Sequence, residues 1–433
     1  MSEANAYLEV FEQRPRSGED EATRATRRAA LARFAEIGLP TRRQENWRFT
    51  NLRPLEKTIF PPARPDAPRP TLALPPQYAL ATPAYRFVLV NGRFAPELSD
   101  IANLPDGVRL RSVAAPVTAG ILVDGPAREE NAFLALNTAF FNDGFDLVLS
   151  DLAAVDPRPG AGGLDRPIAI IHLGQAAAPL SAHLRNRILV AGHGCTIIET
   201  FAGAGPYWVN AATTIEIGAG AHLRHIVLLD DAPEAVHLGH RRVKLDKGAR
   251  YEGFTLALGG QLVRQDTQIA IDGEGAYCAL DGAYLLRGSQ ETTIATFIDH
   301  RAPASQTREI FKGVVGDRAH GVFQGKIRVR NDAQKTDAHQ LNKNLLLGAH
   351  AVVDTKPELE IYADDVKCSH GATIGDLDEA ALFYLRARGI SESAARRLLI
   401  EAFAGEAVDL VSDEAGRAYL RRHLEHWLAD RQR

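Results

Sequence analysis

Apolar and polar positions follow three different textures along this chain. Over residues 22–38, Leu31, Phe34, Ala35 and Ile37 recur at helical spacing among arginines and alanines. The pattern stops at Gly38 with Pro40 beyond, so it predicts an amphipathic helix with a glycine stop. Residues 61–76 hold seven prolines and predict a stiff linker or surface arm. Two short apolar runs, 86–90 and 93–94, flank Asn91-Gly92, which is the strongest short hairpin signal. Residues 129–141 read as a helix, and Gly144 leads into a strand over 145–149.

From about 167 to 375 the texture becomes short β-branched runs punctuated by glycine. Gly194-Cys195-Thr196-Ile197, Gly220-Ala221-His222-Leu223, Gly248-Ala249-Arg250-Tyr251 and Gly275-Ala276-Tyr277-Cys278 resemble one another at spacings of 26, 28 and 27 residues. A turn glycine followed by an alternating strand, at a nearly fixed period without helices between, predicts a right-handed parallel β-helix (solenoid). A β-sandwich is the alternative, but its hairpins would bring two-residue turns at shorter spacing. The repeat loosens after 290, with Gly348-Ala349-His350-Ala351-Val352 as its last echo. Past Gly375 the pattern turns helical. Asp376 with Glu379 suggests a capping box for a helix ending at Gly389. Ser391 suggests the cap of a second helix, carrying Ala395, Leu398, Leu399 and Phe403 and closed by Gly405. A third, over about 413–429, places Leu420, Leu424, Trp427 and Leu428 on one stripe. The resulting organisation is a helical N-terminal segment (1–60), a Pro-rich and mixed region (61–166), a β-helix core (167–375) and a C-terminal helical domain (376–433). The tail reads as a docking module or as a lid on the end of the solenoid.

Composition narrows the function classes. At 433 residues, 45% of them apolar, the chain is a soluble-type globular protein larger than one typical domain. Fifty Lys and Arg against 54 Asp and Glu leave a net charge of −4 and no electrostatic case for nucleic acid. The arginine-rich opening (Arg24, Arg27, Arg28, Arg33, Arg42, Arg43) reads as a solvated helical face. No apolar run is long enough for a membrane span, and the N-terminus has no secretory h-region. Three cysteines, at 195, 278 and 368, are too scattered for a disulfide framework or a Cys-x-x-Cys metal site, and suit reduced thiols in the cytoplasm.

Familiar catalytic motifs are missing. The nearest approach to a phosphate loop, Gly321-Val322-Phe323-Gln324-Gly325-Lys326-Ile327, is one residue short and lacks the magnesium-binding hydroxyl. Neither a Gly-x-Ser-x-Gly elbow nor a His-Glu-x-x-His helix occurs, and residues 160–163 form a loop rather than a dinucleotide fingerprint. Most of the 14 histidines read as ordinary surface or hydrogen-bonded residues. His222 and His225 fall on opposite faces of a strand, and His237 and His240 flank a glycine in a loop. Cys195 and Cys278 read as fillers of the coil.

Cys368 and His370 differ in context. They lie in Asp364-Asp365-Val366-Lys367-Cys368-Ser369-His370-Gly371-Ala372-Thr373, where the last strand gives way to the helical tail. In an extended strand they share a face about 7 Å apart, a natural soft-metal or sulfur-handling pair. Two ligands cannot complete a four-coordinate site, so a metal here would need groups from elsewhere. Spacing alone favours the plainer reading of Cys368 as a small buried hydrophobe and His370 as a hydrogen-bonded rim residue.

The stretch from Thr355-Lys356-Pro357-Glu358-Leu359-Glu360-Ile361-Tyr362 through Cys368-Ser369-His370-Gly371 resembles the C-terminal signature of the SufB/SufD family of iron–sulfur cluster assembly proteins, in the form of its SufD branch. Three further runs agree with that branch: Gln44 to Leu52, Phe133 to Phe141 and Leu382 to Ile390. The resemblance implies a β-helix and a non-catalytic scaffold in a cytoplasmic complex. It implies a SufB-type partner at the C-terminal end of the β-helix and a SufC-type ABC ATPase on the C-terminal helices. It also implies sulfur arriving through relay proteins, and no cofactor held tightly by the lone chain. His370, with Cys368 beside it, would share a transient iron–sulfur cluster or iron site with the SufB-type chain. A scaffold pairing with a second copy of itself is the alternative. A β-helix carbohydrate enzyme, or an acyltransferase with His370 as base, would need a charged groove or a six-residue period, and neither is evident.

Overall fold

Each residue in the core stacks on its counterpart one coil earlier, so the inward-facing positions form columns through a parallel solenoid of about seven turns. The computed structural model describes residues 3–12, 21–64, 70, 72–114, 131–150, 164–192 and 194–430. Residues 160–163, and parts of the proline-rich stretch and of the run 129–141, lie outside them. One sheet has ten strands. It contains β1 (Tyr85–Val90), β2 (Arg93–Phe94), β5 (Ile168–Gln175), β7 (Cys195–Ala204), β9 (His222–Asp230), β11 (Arg250–Ala257), β13 (Tyr277–Leu286), β15 (Gln306–Val315), β17 (Asp337–Leu346) and β19 (Lys367–Gly375). The other has nine. Its strands are β3 (Val108–Ser112), β4 (Phe145–Leu149), β6 (Leu180–Val190), β8 (Tyr207–Ile217), β10 (Val236–Leu245), β12 (Leu262–Ile271), β14 (Glu291–His300), β16 (His320–Val329) and β18 (Val352–Ile361). Between the sheets lies a core built from alternate residues, such as Leu223, Tyr251, Cys278 and Ile298. Cys195 and Cys278 are buried there, as expected of fillers.

The turn glycines do the work their spacing suggested. Gly220, Gly248 and Gly275 take φ of +69°, +63° and +70° two residues before β9, β11 and β13. The coil continues unbroken past 290, where the sequence repeat loosens. Ala304 and Lys335 adopt the same left-handed conformation, at φ +55° and +60°, two residues before β15 and β17. A side chain there costs roughly 1 kcal/mol that glycine would not. The repeat continues in the backbone while its marker residue disappears. Asn91 and Gly92, both at positive φ, make the hairpin between β1 and β2.

Both outer faces of the solenoid are covered. Helices α1 (Glu3–Glu12), α2 (Glu21–Ile37), α3 (Arg53–Lys57) and α4 (Ala132–Phe140) lay Leu31, Phe34, Leu55, Phe133 and Phe140 on Trp208, Leu238 and Leu262 of the nine-stranded sheet. Arg27 is not on a solvated face. It is buried, its guanidinium 4.3 Å over the Phe141 ring and donating to the Phe141 carbonyl at 2.8 Å. On the other side, α6 (Glu392–Val408) and α7 (Glu414–Asp430) pack Ile400, Ala404, Leu420 and Trp427 on Ile226, Phe254, Leu256 and Leu285. The tail therefore clads the side of the ten-stranded sheet and is not a lid on its end. Asp378, not Asp376, caps α5 (Glu379–Ala387), Ser391 caps α6, and α6 runs past Gly405 to Val408. Deleting 376–433 should expose this apolar face and give an aggregated protein, checked by the soluble fraction after expression. A soluble, β-rich truncation would show that the face does not need its cover.

The interior holds several histidines as neutral rings. Burial pushes His240, His300 and His423 down to about 4, and His225 in the same direction. His237 and His240, expected in a loop, lie in β10. A folded-state value below the ordinary 6.5 means the unfolded chain takes up protons that the fold refuses, so stability falls as pH drops from about 6.5 to 4. Each ring shifted to about 4 contributes a loss on the order of 3 kcal/mol over that window. Burial raises Glu309 to about 7 and Asp281 to about 6, and raises Asp143, Asp230 and Glu291 too; these act in the opposite sense. Between pH 6.5 and 5 the three rings held at about 4 outweigh these acids, so the melting temperature should drop over that range; one that rises there would contradict the neutral rings.

Candidate functional site

The last coil ends in two strands with an open side. In the ten-stranded sheet β19 pairs only with β17, and in the nine-stranded sheet β18 pairs only with β16, so among the described residues neither has a neighbour beyond it. Lys367 donates its N–H to Thr336 at 2.9 Å, and backbone directions alternate, so Cys368, His370, Ala372 and Ile374 turn their N–H groups to the open side. In β18, Val352 and Tyr362 donate back, to Ala319 and Val329, so odd-numbered residues face out. Pro357, which has no N–H, falls on that outer register, where it removes no ladder bond. Val352, Ile361, Tyr362 and Ile374 are exposed around this edge. On the flank of the strand, Lys356 pairs with Glu45 at 2.6 Å, and Glu360 with Lys326 and Arg328 at 2.6 and 2.9 Å. The alternation of Thr355 to Tyr362 is thus ion pairs outside and lumen-facing residues inside.

Cys368 continues the inward column of Cys278, Thr307 and Ala338 and packs half-buried against the core. Burial pushes its thiol up, opposed by a backbone hydrogen bond from Ala338. Cys368 thereby keeps the small-hydrophobe character of the plainer reading. His370 lies on the same face two residues on, one strand above Gln340 and two above Glu309, and is exposed at the mouth of the lumen. A rim imidazole in the open is free to engage another molecule. Among the described residues no group of three or more His, Cys, Asp or Glu is arranged to hold a metal ion. The pair can supply part of a coordination sphere, and the rest must come from outside the described residues.

Sequence reasoning missed the polar filling beneath this mouth. Gln340 donates to Glu309 at 2.6 Å, Asn344 to Asn342 at 2.7 Å, and Tyr284 to Asn344, all inside the coil. Only the register aligns these amides with His370; their own strand, polar on both faces, carries no such signal. The phrase from Gly321 to Ile327 lies within β16, a strand and not a phosphate-cradling loop.

A family model described as the SufBD core domain of the SUF iron–sulfur cluster assembly system matches residues 175–403. The chain belongs to the SufBD family. The SufBD match runs from the end of β5 through the terminal coil and into α6, so it takes in Cys368 and His370. The chain is 33% identical over 391 residues to the iron–sulfur cluster assembly protein SufD of Escherichia coli, covering 89% of this chain and 88% of the relative. It is 32% identical over 407 residues to a SufBD family protein of Synechocystis, covering 89% and 86%. A chloroplastic protein of Arabidopsis thaliana is 34% identical over 233 residues, about half of each chain. The role of the present chain lies in iron–sulfur cluster assembly. Among the described residues no helix is long and apolar enough to cross a membrane.

The C-terminal helices of this SufBD chain present a different surface from the one their periodicity suggested. Leu399, Phe403 and Trp427 pack on the solenoid, whereas Phe383, Tyr384 and Leu398 are 74%, 57% and 42% exposed. Arg388 lies over the Tyr384 ring at 5.0 Å. These exposed apolar residues lie on α5 and in the first half of α6, with one cation, Arg388, beside Tyr384.

Proposed function

We propose that the chain is a SufD-type scaffold subunit of a cytoplasmic complex, pairing through the open edge of β18 and β19 with a SufB-type chain. A nascent cluster, as cargo, is built at that junction with His370 as one of its ligands or proton carriers and Cys368 in an assisting role. The observation that carries this reading is the uncovered terminal coil with an exposed imidazole at its mouth, in a chain of this family. An edge of unpaired backbone groups invites a further strand, and the exposed Val352, Ile361 and Ile374 supply apolar area to bury. A SufC-type ABC ATPase binds the patch of Phe383, Tyr384 and Leu398 and supplies nucleotide chemistry. Sulfur reaches the SufB-type partner through relay proteins, and the lone chain holds no cluster tightly.

Affinity purification of the chain from its own cells should bring down both a SufB-type protein and an ABC-type ATPase. Phe383→Asp with Tyr384→Asp should lose the ATPase at least tenfold while retaining the SufB-type chain, and Ile361→Asp with Ile374→Asp should do the reverse. Loss of both partners from either pair, or of neither, rejects this assignment of surfaces. Self-pairing would use the same edge. Light scattering of the isolated chain, alone and after adding the SufB-type partner, separates a homodimer that persists from one that yields to the heterodimer.

A further inference from the structure

Beneath His370 the lumen contains an acceptor that no group among the described residues satisfies. Gln340 is 2% exposed, and its Nε2 donates to Glu309 Oε2 at 2.6 Å. That bond fixes which way the amide points. Its Oε1 is buried without a hydrogen-bond partner. The space for this side chain is made by Gly325 on the facing sheet, where a Cβ would lie 2.2 Å from Gln340 Nε2. No earlier coil places an amide in this column, which runs through Leu280, Gly253, His225 and Ile197. An unpaired buried carbonyl opposes folding, so a residue held in that state calls for a donor. The next residue in the column is His370, one strand spacing of about 4.8 Å away and on the same face.

We infer that Gln340, oriented by Glu309, is the positioning residue of His370: its Oε1 accepts one imidazole N–H when the open edge is paired. This rests on the role of His370 proposed above. A histidine that binds a metal regularly donates its other ring N–H to a carbonyl or carboxylate, which fixes tautomer and ring plane. With one nitrogen so committed, the other keeps its lone pair and faces the junction. Glu309 holds the amide from below, so that Oε1 and not Nε2 points at the ring. The three residues form a stack of one orienting carboxyl, one amide and one ligand, supplied by β15, β17 and β19.

The test uses the complex with the SufB-type partner, histidine-labelled with ¹⁵N and observed by magic-angle-spinning NMR, with the His370 signals assigned by their loss in His370→Ala. In the parent complex His370 should show a single neutral tautomer. Gln340→Met combined with Glu309→Leu removes the acceptor without leaving a lone buried carboxyl. It should give a mixture of tautomers and at least tenfold slower cluster formation, at unchanged complex yield. Should that double variant fail to fold, Glu309→Gln keeps a partner for Gln340 but lets its amide turn over, and should also mix the tautomers. An unchanged single tautomer in the folded variants overturns the inference. So does cluster formation within threefold of the parent. If His370→Ala itself assembles clusters normally, the role of His370 fails instead. The tautomer measurement still decides whether Gln340 orients the ring.

Discussion

Replacing His370 with alanine is expected to give a complex of normal composition and melting temperature that forms no iron–sulfur cluster. The imidazole is exposed in the isolated chain, so its removal opens no cavity in the core. Near neutral pH it can bind iron through a ring nitrogen or carry a proton, and alanine can do neither. A histidine with a structural role would behave differently: orphaning its hydrogen-bond partners would cost about 1–3 kcal/mol and the complex would weaken. Complex yield, melting temperature and cluster formation, measured on one preparation, separate the two. Normal cluster output would remove the site assignment, and a collapsed complex would make His370 a structural residue. Cys368→Ser should be milder. The thiol packs against the core and burial raises it, so little thiolate is available at neutral pH to attack sulfur or bind iron.

The parts of this fold that were readable follow from local rules. Gly220, Gly248 and Gly275 mark corners because a left-handed turn residue is cheapest as glycine. The same rule hid the later coils, where Ala304 and Lys335 accept the strained conformation. Gly239 misled in the opposite way. It sits inside β10 because a Cβ there would strike the Gln265 side chain at 2.2 Å, not because the chain turns, so His237 and His240 beside it were read as loop residues. Arg27 could not be placed from helical spacing, since what buries it is a ring and three carbonyls more than a hundred residues away. The tail helices were legible as amphipathic, but periodicity does not say which apolar residue meets the solenoid. Trp427 does, and Phe383 does not. A two-residue alternation puts Cys368 and His370 on one face, but spacing alone favours a buried filler and a rim residue; the family resemblance is what singles the pair out. Gln340 and Glu309 needed the pairing of three strands, which no single strand's pattern contains.

Glu199→Ala should destabilise the chain by about 3–5 kcal/mol, from two orphaned buried donors and the void of a deleted side chain. Glu199 lies in the lumen with both oxygens engaged, 2.9 Å from His172 Nε2 and 2.9 Å from His225 Nε2. Burial works to raise its carboxyl, but the two imidazoles hold it well below the usual carboxylate range. His225 is lowered by burial and by Arg241 nearby, so it donates as a neutral ring, its other nitrogen 3.5 Å from the Tyr251 hydroxyl. Alanine would orphan two buried N–H donors and leave a void where the side chain stood. Glu199→Gln keeps one carbonyl acceptor but sets an amide N–H against a ring N–H. A change of tautomer relieves that conflict in part, so about 1–3 kcal/mol is expected. Urea unfolding of both variants measures the difference as a shift in midpoint at constant slope. A loss below about 1 kcal/mol for alanine would mean that the two rings find other partners inside the coil. Glu199 is six strand spacings from His370 along the column of coils, about 29 Å. Cluster formation per folded complex should therefore stay at the parent level in both variants, which is what separates a brace in the lumen from a member of the site.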